Sequence, residues 1–118
     1  MERDKDVRGD VEKAFLELPP KEREAVISHG VALRLSDLRK RFFLAQSKLR
    51  HFEEKYETTL NRIEVDGLPD DADYEMHEDY LMWRHWSGVA DRAKEGIAAL
   101  EELARYGLSA GETAHVDH

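Results

Sequence analysis

The chain contains no cysteine. Disulfides and thiolate metal sites are therefore excluded, and the expected compartment is the cytoplasm. Proline is scarce, with 3 residues, so long helices meet few obligatory breaks. No apolar run approaches the length of a membrane span, and the charged opening MERDKDVRGD has no apolar core of a signal peptide. Histidines are present, but none forms an HxxxH pair, and no glycine-rich phosphate loop occurs. Between Glu64 and Asp79 there is no Lys or Arg at all, against eight carboxylates. The net charge of −8 argues against nonspecific nucleic-acid binding, which needs a positive footprint.

What is present is helical periodicity. Leu35, Leu38, Phe42, Ala45, Leu49, Phe52 and Tyr56 recur at alternating intervals of three and four, with Val31 before them and Ile63 a heptad beyond. This is the apolar seam of a helix built to lie against another helix. Its flanking heptad positions Arg34, Arg41, Lys48 and Lys55 are all basic, which makes the helix a poor partner for itself. A second seam, Trp83, Trp86, Ala90, Ala93, Ile97, Leu100 and Ala104, follows the turn Val65–Asp71. Two seams of similar length, about 45 Å each if fully helical, predict an antiparallel helical hairpin over 35–105.

The expected fold is all-α, a coiled-coil-like hairpin preceded by short helices. Residues 1–9 read as a flexible arm, 10–107 as one helical domain and 108–118 as a mobile tail. Asp10 caps a helix to Leu18, Pro19 and Pro20 end it, and a second short helix stops at Gly30. The long helix starts at Val31 or, with Ser36 as its cap, near Leu35. Gly107 ends the last helix. A hairpin leaves Phe43, Leu44, Leu60, Tyr80, Met82 and Val89 on its flanks. Their cover is expected from the N-terminal helices, a second copy or another protein, with a homodimer forming a four-helix bundle the favoured arrangement.

No catalytic group is expected. The serines Ser28, Ser36, Ser47, Ser87 and Ser109 have no base at a usable spacing, and helical neighbours such as Ser28 and His29 point apart. Glu75, His77, Glu78, Asp79 and His85 form the best metal candidate, but they lack ligand spacing and read better as a solvated acidic helix start. Neither metal nor cofactor is therefore expected. The group Tyr80, Met82, Trp83 and Trp86 is the most suggestive apolar cluster: it suits core packing at the wide end of the hairpin, and it suits a binding face because Trp is enriched at binding hot spots. With Asp70, Asp71, Asp73 and Glu75 it forms the expected partner-binding face.

Three segments carry a resemblance: Phe52-Glu53-Glu54-Lys55-Tyr56, Gly67-Leu68-Pro69-Asp70-Asp71-Ala72-Asp73-Tyr74 and His77-Glu78-Asp79-Tyr80-Leu81-Met82-Trp83. In order and spacing they resemble small helical bacterial and archaeal proteins described as the antitoxin half of TumE/TumA-type toxin–antitoxin pairs. The similarity covers roughly Ser36 to Leu103. It implies a non-catalytic, antitoxin-like module that occludes a small basic toxin. The alternatives are a self-assembling structural coiled coil and a metal-binding bundle. Where that family has Gly after Lys-Tyr, this chain has Glu57. The first helix then either runs straight past Tyr56 or breaks, with Thr58 capping a short helix to Val65.

Overall fold

Four helices carry the described residues of the computed structural model. Its backbone is described from Glu2 to Val116 and its side chains from Arg8 to Tyr106. Met1 of the expected arm and Asp117 and His118 of the expected tail lie outside those residues. The elements are α1 (Glu2–Glu17), α2 (Pro20–Tyr56), α3 (Leu60–Asp66) and α4 (Tyr74–Val116). Contacts divide the chain into two units. One holds Met1–Arg34 and Leu100–His118, and the other Leu35–Ala99.

In the first unit, α1 begins at Glu2 and runs through Asp10, which is not a cap. Glu, Arg and Lys are good helix formers, so the charge alternation of residues 2–8 is compatible with helix without any apolar stripe. Leu18 N–H closes the end by donating to Phe15 C=O at 3.1 Å, and Pro19 follows. Pro20 opens α2 as expected of a residue with no N–H to lose there, and Arg23 N–H donates to Pro19 C=O at 3.0 Å. Gly30 does not end a helix: α2 passes through it, and through Ser36 and Asp37, for 37 residues in all. A glycine terminates a helix only when it turns left-handed, and Gly30 does not. An interior glycine costs only about 1 kcal/mol. Gly107 is likewise passed by α4, which continues to Val116.

The second unit is the hairpin. Leu38 of α2 meets Gly96 of α4, while Lys55 of α2 meets Glu75 of α4, so the two helices run antiparallel. The seam read from the sequence is the buried one. Leu35, Leu38, Ala45 and Phe52 of α2 are buried, with Phe42, Leu49 and Tyr56 half-buried beside them. Trp83, Ala90 and Ala93 of α4 are buried, and Trp86 and Ile97 half-buried. In the first unit Val31 is buried, and the seam positions Leu100 and Ala104 are half-buried. Small residues in the α4 seam let the helices approach closely. At Gly96 an added Cβ would lie 2.9 Å from Leu38 Cδ1.

The open question at Glu57 resolves as a break. α2 ends at Tyr56, and Glu57 takes a left-handed φ of 53°, which is strained for a residue with a Cβ. Thr59, one residue later than the expected Thr58, then caps α3: its hydroxyl accepts from Arg62 N–H at 3.2 Å. Ile63 is therefore not a further turn of the first helix. It is buried from a separate short helix that folds back onto Phe52 and Trp83. Gly67, with φ 80° and ψ 167°, closes α3 by donating its N–H to Ile63 C=O at 2.7 Å. A turn bonded from Ala72 N–H to Pro69 C=O at 3.0 Å leads to Asp73, whose carboxylate caps α4 by accepting from Met76 N–H at 2.9 Å.

Candidate functional site

The tip of the hairpin is where aromatic packing and carboxylates converge. Its core is Phe52, Ile63 and Trp83, enclosed by Leu49, Tyr56, Leu60, Leu68, Tyr80 and Trp86. Trp83 is 1% exposed and stacks on Phe52 and Tyr56, with centroids 5.6 and 6.1 Å away. The seam position read for Trp83 is the one it occupies, and its place in the expected partner-binding face is corrected: the ring is already consumed by the fold. Its indole N–H is buried and makes no hydrogen bond. Trp86 is half-buried beneath Lys48, whose ammonium lies 5.9 Å from the ring centroid. Met82 remains exposed. Leu60 and Val89, expected on the flanks, are half-buried, whereas Phe43 and Leu44 are exposed as expected.

Around this core runs a polar clamp that the sequence did not announce. Lys55 Nζ donates to Asp79 at 2.6 Å and to Glu75 at 2.7 Å. Tyr56 donates its hydroxyl to the same Asp79 oxygen at 2.5 Å. The end of α2 is thus tied to the start of α4. On the α3 side, Tyr80 donates to Glu64 at 2.9 Å, and Arg84 pairs with Glu64 at 3.5 Å while lying over the Tyr80 ring. Lys55, Tyr56, Asp79 and Tyr80 were all visible in the sequence. Their interaction was not, because it depends on the register between two helices.

The clamp shifts titrations in a consistent direction. Burial alone would raise the Asp79 carboxyl, but hydrogen bonds from Lys55 and Tyr56 outweigh it, and the group lies below its usual range. Hydrogen bonds to Asp79 and Glu75 hold Lys55 well above the ordinary ammonium range. Desolvation, and then the bond to Asp79, raises Tyr56; the bond to Glu64 raises Tyr80. All four shifts move the group's titration further from pH 7.

The acidic block is less uniform than its composition. Glu75 and Asp79 are bound to Lys55, Glu64 to Arg84, and Asp66 to Arg62 at 3.3 Å. Asp73 is engaged as a helix cap. Asp70, Asp71 and Glu78 are exposed and make no ion pair among the described residues. Val65 and Tyr74 are each 79% exposed. The expected face of Tyr80, Met82, Trp83, Trp86, Asp70, Asp71, Asp73 and Glu75 is therefore divided. Asp70, Asp71 and Met82 face solvent, whereas Trp83, Asp73, Glu75 and Tyr80 hold the tip together.

Among the described residues no group of three or more His, Asp or Glu is arranged to hold a metal ion, and no helix is long and apolar enough to cross a membrane. No family model matches the chain, and no curated protein or solved structure matches it.

Proposed function

We propose that this chain is a non-catalytic, antitoxin-like protein-binding module, which neutralises a small basic toxin by laying the tip of its hairpin over the toxin's working surface. The observation that carries the reading is the exposure of the tip: Asp70 and Asp71 are exposed and make no ion pair among the described residues, and Val65, Tyr74 and Met82 are exposed as well. Apolar side chains and charge of one sign at one end of the hairpin suit a protein partner of the opposite sign. The carboxylates stand in for nucleic-acid phosphates toward a protein that acts on RNA. The resemblance of the three tip segments to antitoxins supports the same reading.

The test is co-expression with the product of the neighbouring gene. Rescue of growth and a stable complex are expected, and D70K/D71K is expected to weaken the complex at least about tenfold through like-charge contacts. The tip fold stays intact in that variant, because neither carboxylate takes part in the clamp. A toxic neighbour that this chain fails to neutralise, or a complex indifferent to D70K/D71K, contradicts the proposal.

A further inference from the structure

Within the hairpin unit, the outer face of α2 carries large apolar side chains that the chain leaves uncovered. Lys40, Ser47 and Glu54 follow one another there at heptad spacing. Each stands two residues beyond the buried Leu38, Ala45 or Phe52, about 200° round the helix, and so on the side turned away from α4. Phe43 and Arg50 lie to one side of this row, and Leu44 and His51 to the other, again at heptad spacing. Phe43 is 71% exposed and Leu44 47%. Lys40, Arg50, His51 and Glu54 are exposed and make no ion pair among the described residues.

This face is complementary to its own reversed copy. A twofold axis crossing α2 at the level of Ser47 inverts the order along the helix and keeps each side of the row on its own side of the pair. Lys40 and Glu54 each lie seven residues from Ser47, about 10 Å along the helix. Such an axis brings Lys40 of one copy to Glu54 of the other, twice over. Phe43, four residues before Ser47, comes level with Arg50, three after it, which sets a guanidinium against each exposed ring. Leu44 comes level with His51 in the same way. The two Arg50 side chains stay about 9 Å apart in level. The basic flank of Arg41, Lys48 and Lys55 takes no part, because it is turned to α4: Lys48 lies over Trp86, and Lys55 is bound to Glu75 and Asp79.

We infer that two copies of this chain pair antiparallel through the outer faces of α2, about a twofold axis at Ser47. A small residue at the axis lets the two helices approach closely. Phe43 and Leu44 of each copy form the apolar part of an isologous interface, and the Lys40–Glu54 pairs close its two ends. One helix face buries less than the about 1,600 Å² of a standard interface, so the dimer is reversible and forms at micromolar concentrations. The face stands apart from the toxin-binding reading. Val65, Asp70, Asp71, Tyr74 and Met82 all lie outside α2, and either proposal can fail without the other.

A chain without cysteine allows the axis to be tested directly. Ser47→Cys in the full chain is expected to form an intermolecular disulfide under mild oxidation, because the two copies of that position face each other across the axis. Lys40→Cys is the control: its two copies lie about 21 Å apart in level and are expected to stay unlinked. Sedimentation velocity of wild type, K40E, E54K and K40E/E54K reads the charge pairing. Both residues are exposed, so unchanged helicity by circular dichroism is expected throughout. Each single reversal is expected to weaken the dimer at least about tenfold, since it acts at two symmetric contacts. The double reversal is expected to restore it to within about threefold of wild type, as the pair is re-formed with opposite polarity. A wild type that stays monomeric to about 300 μM, leaving the face to a different protein, overturns the inference. So does a double reversal no better than the singles, or Lys40→Cys linking as readily as Ser47→Cys.

Discussion

Replacing Glu57 by glycine separates two descriptions of the first long helix by the sign of its effect. In the structure Glu57 follows the last residue of α2 with φ 53°. A left-handed residue bearing a Cβ costs about 1–2 kcal/mol, and glycine removes that cost while losing about 0.5–1 kcal/mol through the greater freedom of the unfolded chain. The Glu57 side chain is exposed and makes no described ion pair, so nothing else is lost. The expected outcome for Glu57→Gly is a net gain of about 0.5–1 kcal/mol. In a urea melt with a slope of about 1–3 kcal/mol/M, this raises the midpoint by about 0.5 M at unchanged slope. Had the seam continued unbroken through residue 57 toward Ile63, the same substitution would sit inside a helix and cost about 1 kcal/mol. Glu57→Ala is the control: it keeps the Cβ and the strain, and its midpoint is expected to stay close to wild type. A destabilised Glu57→Gly, or an alanine variant stabilised equally, refutes the break.

Gly67 is the converse case: at φ 80° and ψ 167°, with no atom within 4 Å of an added Cβ, Gly67→Ala is expected to cost about 1–3 kcal/mol in backbone strain alone. Gly30→Ala, in an open part of α2, is expected to stabilise by about 0.5–1 kcal/mol, and Gly96→Ala to gain less or lose because Leu38 must move. Trp83→Ala is expected to cost about 3–5 kcal/mol and Trp86→Ala clearly less, since only the first ring is fully enclosed; chemical denaturation reads both. As pH falls, the stability from Asp79, fully present above the ordinary carboxylate range, is lost through its depressed folded value. As pH rises, the contributions of Lys55 and Tyr56, fully present below about 10, are lost above it. The stability–pH curve is expected to be flat between these limbs, and Asp79→Asn to shrink both of them.

The hairpin was legible because burial along a helix leaves a period in the sequence. Leu35 through Tyr56 and Trp83 through Ile97 pointed inward as their spacing required. Helix ends were less legible, because the meaning of a glycine lies in its φ. Gly30 and Gly107 have the composition of terminators but sit inside helices, while the real end of α2 is marked by a glutamate. The resemblance drew attention to position 57, yet only the backbone distinguishes a straight helix from a broken one. Trp83 was counted both in the inward seam and in the partner-binding face, because interface and core aromatics share one composition; the stacked Phe52 and Tyr56, with Ile63 returning from α3, place it in the core. The clamp of Lys55, Tyr56 and Asp79 joins residues more than twenty positions apart and was invisible without the register.

These placements narrow the partner-binding hypothesis to a small surface. Residues that a composition-based reading would group together divide into those that build the tip and those that the tip presents. Asp73, Glu75, Asp79 and Trp83 belong to the first set, and Asp70, Asp71, Val65, Tyr74 and Met82 to the second. Hydrogen exchange of the chain with and without the proposed toxin partner reads that division directly. Binding at the tip is expected to slow exchange in residues 65–74 and at the start of α4, leaving the shaft of α2 near Lys40 unchanged. Protection confined to the shaft, with the tip exchanging as in the isolated chain, would contradict the account.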